Sequence, residues 1–287
     1  KKKNFRNFYI ISHDPQFDNA AGFLRANHFD RIYSINDYPS DKVLSTLGVP
    51  DHQLLHYSLS FIGEQKKLHP GKKFFATIKT SSDHGPYILP KNISLVPKST
   101  KIKRSIVEYA DWSLKQFFKE AQNQDWFNQT LFVLTADHGA ALDTQHSLPI
   151  SYLHSPLLFY TPGGQLKAQS SDKLASQLDI SPSILSTLGI EFENNAFGVD
   201  LFSEEREFVY FSSDNRIGVV DEKHYLLYNP YRQSSELNPI DSSVEWANEA
   251  NGKAKLIEKM KNYALSQMES SRWMINNKKT FLKKESK

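Results

Sequence analysis

The stretch LFVLTADHGA, residues 131–140, constrains this chain more than any other. Apolar residues fill both faces of the run ending at Thr135, the pattern of a buried strand in a parallel sheet covered by helices on both sides. Two metal-capable side chains, Asp137 and His138, follow at once. Successive strand residues point to opposite faces, so both reach one ion only if the backbone turns, and Gly139 permits a turn. A carboxylate beside an imidazole suits Zn²⁺, Mn²⁺ or a similar divalent cation.

The same arrangement occurs twice more. The apolar run Phe8–Ile11 predicts a strand that leads into SHDPQFDN, with His13 and Asp14. The aromatic and β-branched stretch 72–82 predicts another, leading into Asp83 and His84. Ligands of open α/β sheets bind beyond the carboxyl ends of the strands. One such pair reads as an ordinary turn or helix cap. Three pairs, each after a predicted strand, point to a site.

Between these strands the chain reads as helix. DNAAGFLRANHF spaces Ala21, Leu24 and Phe29 at near-helical intervals, and RIYSI follows as a strand. DHQLLHYSLSFIGEQKKL predicts a helix, and 101–121 carries an apolar stripe from Ile102 through Tyr109 to Phe117. SPLLFYTP predicts a strand and LASQLDISPSILSTLGI a helical stretch stopped near Gly189. Alternation from residue 8 to about 190 is the signature of an α/β fold with a largely parallel sheet. Past 200, EFVYFSS, RIGVVDE and HYLLYNP predict an antiparallel meander, 252–275 a surface helix, and NKKTFLKKESK a frayed tail. With no repeat or low-complexity linker, the expected organisation is a single domain over 1–287, with an α/β core at 8–200 and the meander and helix at 201–287.

Composition closes several alternatives. A 39% hydrophobic share with 23% charged residues is that of a globular chain. A net charge of +3, spread along the chain, gives no nucleic-acid signal. The absence of cysteine excludes disulfides, thiolate ligands and a cysteine nucleophile within these residues. No apolar run approaches the roughly 20 residues needed to span a bilayer. The chain lacks an initiator Met and opens almost directly into a strand, which leads us to expect a piece of a longer protein.

LFVLTADHG, then YLHSPLLFYTPGG, then SQLDISPSILSTLGI, then AFGVDLF together resemble the alkaline phosphatase/sulfatase superfamily. Within it they are most similar to the lipoteichoic acid synthase-like branch of membrane-anchored phosphoglycerol transferases. The resemblance implies a three-layer αβα sandwich, alkaline phosphatase-like, with a mostly parallel central sheet. It implies that Asp137 and His138 bind a catalytic divalent metal: Mn²⁺, Zn²⁺ or Mg²⁺, or Ca²⁺ in a true sulfatase. His84, in the motif H-x-P-[FY], would contact a phosphate oxygen, and His13 and His154 are further substrate-binding candidates, with His146 a weaker one. Asp18 and Ala20 stand where the synthase pattern has Trp and Arg.

The resemblance also implies a Thr, Ser or formylglycine nucleophile and another acidic ligand upstream of residue 8, leaving this chain about half of an active site and inactive alone. The expected parent is a phosphoglycerol transferase or phosphodiesterase acting on an anionic lipid or glycan phosphoester. It would be anchored in the cell membrane through a missing N-terminal region, with its catalytic domain periplasmic or extracellular. Two other readings are a sulfatase acting on sulfate esters of glycans and a non-catalytic module with a vestigial Asp-His pair.

Overall fold

The computed structural model describes residues 4–141, 148–213, 215–241 and 250–280; the candidate His146 and the tail from 281 lie outside them. In chain order the elements are β1 (Phe5–Ile11), α1 (Ala20–Ala26), β2 (Arg31–Tyr33), α2 (Asp51–Leu68), β3 (Lys73–Lys79) and α3 (Ile102–Ala121). There follow β4 (Phe132–Thr135), α4 (Ile150–Leu153), β5 (Leu157–Tyr160) and α5 (Ile180–Thr187). The last part holds β6 (Val209–Ser213), β7 (Arg216–Val220), β8 (His224–Asn229), β9 (Ser234–Pro239) and α6 (Ala250–Asn276). This is the expected α/β alternation with a C-terminal antiparallel meander. No described helix is long and apolar enough to cross a membrane.

Two compact units make up the chain: Lys1–Phe132 with Phe159–Leu166, and Val133–Leu158 with Lys167–Lys287. The divide passes through β4 and β5, which pair in a two-stranded sheet. Residues 132–134 of β4 are half-buried and Thr135 is exposed, so the strand is less covered than its apolar sequence predicts. Among the described residues β5 is its one sheet neighbour, and Phe132 at its start packs on Phe117 and Phe118 of α3.

In the first unit, β2, β1 and β3 form a parallel sheet in the order β2-β1-β3, with Tyr9 opposite Ile32 and Thr77. Phe8 and Ile10, alternate residues of β1, turn one face into a core shared with Leu54, Leu59 and Ile62 of α2 and Phe117 and Ala121 of α3. Tyr33 stacks on Phe61 with ring centroids 4.0 Å apart. Polar bonds fix where the strands end. Ser12 and Ser81 hydroxyls meet at 2.6 Å, joining the exits of β1 and β3. Asp51 Oδ1, at the start of α2, accepts the backbone N–H groups of Ser81 and Ser82, each at 3.0 Å.

In the second unit, the sheet β6-β7-β8-β9 is antiparallel throughout. One face packs Ile217, Val219, Leu226 and Leu237 on Met260 and Ala264 of α6, which are fully buried. The predicted surface helix is thus a core element along one stripe. The opposite face, with Val209, Val220, Tyr225 and Leu227, carries Leu148, Ile150 and Leu174. The meander therefore supports α4. The helical stretch predicted over 174–190 is regular α-helix only in α5, because Ser176 and Asp179 close a capping box around a 3₁₀ turn.

Asp51 is 2% exposed, and burial raises its carboxyl pKa above the usual carboxylate value, against the lowering effect of the bonds from Ser81 and Ser82. The folded state therefore takes up this proton first as pH falls, and the associated stability is lost as pH rises through the raised value. Asp51→Asn keeps an oxygen acceptor. It should gain stability relative to the parent as pH rises from about 4 to about 7. Asp51→Ala strands two N–H groups and should cost about 1–3 kcal/mol at either pH. Urea unfolding across that range measures both; a parent-to-Asn difference independent of pH would contradict the assignment.

Candidate active site

Three histidines follow strand ends, and the structure holds all three in one way. His13 Nδ1 lies 3.0 Å from the carbonyl oxygen of Asp14, His84 Nδ1 2.7 Å from that of Gly85, and His138 Nδ1 2.8 Å from that of Gly139. A carbonyl only accepts, so Nδ1 is the donating nitrogen in each ring. In the neutral ring Nε2 then carries the lone pair available to a ligand. Tying one ring nitrogen to a backbone carbonyl is how metal-binding imidazoles are commonly oriented.

In the second unit, His138 Nε2 is 4.0 Å from Asp137 Oδ1, and both side chains are open to solvent, at 53% and 79% exposure. Two donors about 2.1 Å from one ion at the tetrahedral angle stand roughly 3.4 Å apart, so a small side-chain adjustment brings both onto one cation. Among the described residues no group of three or more His, Asp or Glu is gathered for a metal.

Neighbouring groups restrain the pair. The His138 ring stacks on Tyr152 of α4, with centroids 4.6 Å apart and planes 28° apart. The side-chain amide of Gln177 donates to two successive carbonyls, Ala136 O at 2.9 Å and Asp137 O at 2.8 Å. That clamp had no sequence signature, since a Gln in a polar stretch reads as surface. Gln177 is itself fixed in place by a carboxylate two residues along the chain. Asp179, fully buried, accepts from Ser176 N at 2.7 Å, from Val199 N at 2.8 Å and from Arg206. These bonds join QLDISPSI to AFGVDLF. At Gly198 a Cβ would lie 2.0 Å from Leu178 O, so that junction admits only glycine.

Gly139 serves close approach rather than the turn expected of it. Its N–H donates to Tyr152 O at 2.8 Å, and a Cβ there would lie 2.2 Å from Ser151 O and 2.5 Å from His154 O. His154 thus meets Gly139 through its backbone, while the residue as a whole is exposed.

In the first unit, His13 and His84 leave the neighbouring strands β1 and β3, whose exits the Ser12–Ser81 bond joins. The His13 ring meets the exposed Phe17 edge-to-face at 5.9 Å. Asp18 and Asn19 beside it adopt positive φ values of 51° and 56°. His84 is exposed.

Known proteins share both the sequence pattern and the fold. A family model described as Sulfatase matches residues 1–190. Lipoteichoic acid synthase 1 of Bacillus subtilis (strain 168) is 22% identical over 228 residues, covering 72% of this chain and 35% of the relative. Lipoteichoic acid synthase of Staphylococcus aureus (strain USA300) is 21% identical over 198 residues, 62% of this chain and 30% of the relative. The chain thus spans about a third of the length of the curated relatives it matches. Among solved structures, a protein in the alkaline phosphatase superfamily from Vibrio parahaemolyticus aligns with a TM-score of 0.75 at 22% identity, over 94% of this chain and 66% of that one. The lipoteichoic acid synthase LtaP from Listeria monocytogenes aligns with a TM-score of 0.67 at 19% identity, over 92% of this chain and 70% of that one. Both share the alkaline phosphatase-like fold.

Gly139→Ala should destabilise the protein by about 1–3 kcal/mol, since the new methyl group must push α4 off the strand end. Urea unfolding measures the loss, and near-UV circular dichroism reports the displaced Tyr152. A variant as stable as the parent would show that the close approach is not required.

Proposed function

This chain belongs to the sulfatase family, and on that premise we propose that its protein is a metal-dependent phosphoglycerol transferase or phosphodiesterase acting on an anionic phosphoester. The observation that carries the reading is the Asp137–His138 pair, with Nε2 and Oδ1 4.0 Å apart and Nδ1 engaged by Gly139. The lipoteichoic acid synthases among its relatives support transfer at phosphorus. So does His84, in the sequence His84-Gly85-Pro86-Tyr87.

The donor set fits a divalent cation: one carboxylate oxygen and one imidazole nitrogen, the latter oriented from behind by a carbonyl. Such an ion, when bound, lowers the pKa of an attacking hydroxyl and neutralises charge on the transferred group. Asp137 and His138 supply two of its ligands in this proposal. Gln177 and Tyr152 hold those two ligands, through the backbone and the ring respectively. His84 and His13 are assigned to the substrate phosphate, where Nε2 donates to an oxygen in the doubly protonated ring, Nδ1 already donating to a backbone carbonyl. His154 is assigned to the substrate side of the strand end that carries Asp137 and His138. The nucleophile and the remaining ligands fall to residues other than those described. Anchorage in the membrane, with the catalytic domain outside the cytoplasm, belongs to the same proposal.

Sulfate-ester hydrolysis is the second reading, favoured by the family description itself. The two differ in the atom attacked, so substrate preference separates them. The intact protein with Mn²⁺ should hydrolyse a chromogenic phosphodiester in preference to the matching sulfate ester. Asp137→Ala should lower that activity at least about a hundredfold while leaving the unfolding free energy within about 0.5 kcal/mol of the parent. Faster turnover of the sulfate ester would favour the second reading, and full activity in Asp137→Ala would defeat both.

A further inference from the structure

Residues 80–101, between β3 and α3, form a long irregular segment directly after the β3 exit, of a length uncommon inside a compact fold. Their composition is unusual. From His84 to Val107 there are five cationic residues, Lys91, Lys98, Lys101, Lys103 and Arg104, and no acidic one. All five are exposed, and among the described residues none has an ion-pair partner. Three sit at or within the first turn of α3, where the helix dipole makes positive charge unfavourable. Aliphatic side chains are interleaved with them and open to water: Val96 is 86% exposed, Val107 56% and Ile102 45%.

This surface is built rather than loose. The Glu108 carboxylate accepts the N–H groups of Lys98 at 2.6 Å and Ser99 at 3.0 Å, and Ser105 Oγ donates to Ser99 O at 2.7 Å. Lys103 Nζ lies over the Tyr87 ring at 5.5 Å from its centroid. Glu108 thus bonds to backbone rather than to one of the five cationic side chains, which outnumber it on this surface.

We infer that residues 87–107 form a peripheral docking surface for an anionic phospholipid bilayer, the lysines and Arg104 meeting lipid phosphates and Val96, Ile102 and Val107 entering the interfacial layer. Charge complementarity commits the surface to an anionic partner. The exposed aliphatics choose a bilayer over a soluble polyanion, which would neutralise the lysines and leave Val96 in water. The inference deepens the proposed function and rests on it for its sense, because an enzyme acting on a lipid-borne phosphoester meets its substrate at the membrane surface. The binding itself does not pass through catalysis.

The test is co-sedimentation of the protein with vesicles of phosphatidylglycerol and phosphatidylcholine at a one-to-three ratio, against phosphatidylcholine alone. The parent should bind only the anionic vesicles and weaken as salt rises. Lys98→Glu/Lys101→Glu/Lys103→Glu should lose at least about tenfold in affinity. Val96→Ser, a neutral change at a solvent-facing position, should also weaken binding measurably with an unchanged unfolding midpoint. Asp137→Ala should bind as the parent does, which separates this inference from the proposed chemistry. Failure of the parent to prefer anionic vesicles would overturn the inference. So would parent-like binding by the triple variant, or by Val96→Ser, the latter pointing to charge alone and a soluble polyanion.

Discussion

A carboxylate without solvent must find its hydrogen-bond donors in the protein, and Asp179 finds three from widely separated parts of the second unit. Ser176 N fixes the turn before α5, Val199 N fixes the return of AFGVDLF, and Arg206 brings in the segment entering the meander. Breaking a buried pair of this kind typically costs about 3–5 kcal/mol, because the remaining partner stays buried and unmatched. The geometry of the candidate site follows from it. With Ser176 and Asp179 closed into a capping box, Gln177 is directed at the carbonyls of Ala136 and Asp137. Those two carbonyls set the backbone from which the Asp137 and His138 side chains leave.

The meander acts on the same point from another direction. Its face bearing Val209, Val220, Tyr225 and Leu227 packs on Ile150 of α4, and α4 presents Tyr152 to the His138 ring and Tyr152 O to Gly139 N. The antiparallel sheet thus has a clear task, to hold the support behind the His138 ring. The first unit solves its own version of the problem with serines. Ser12, Ser81 and Ser82, bonded to one another or to Asp51, fix the exits from which His13 and His84 emerge.

Periodic elements were the legible ones. α2 spans the residues its sequence predicts, and α3 starts and stops within a residue of the predicted span 101–121. The strands of the parallel sheet were readable from β-branched and aromatic runs. β9 was not, since SSELNP buries Leu237 and Asn238 but lacks an alternating pattern. The core role of α6 was hidden because its fully buried contacts are one methionine and one alanine among lysines. Residue types and spacing pointed to Asp137 and His138 in the second unit and to His13 and His84 in the first as candidates, because chemistry constrains which side chains can take such roles. Gln177, Tyr152 and Arg206 were invisible, because they act through contacts between segments far apart in the chain. Gly139 was noticed for the wrong reason: its requirement is set by the backbone of Ser151 and His154, which no local pattern around residue 139 reveals.

The central claim is that Asp137 and His138 Nε2 share one divalent cation. Anomalous diffraction from crystals of the intact protein grown with Mn²⁺ tests it directly. A manganese peak is expected about 2.0–2.3 Å from both an Asp137 carboxylate oxygen and His138 Nε2, with His138 Nδ1 still on the Gly139 carbonyl. A peak elsewhere, ligation through Nδ1, or no peak at this pair in an active protein would contradict it.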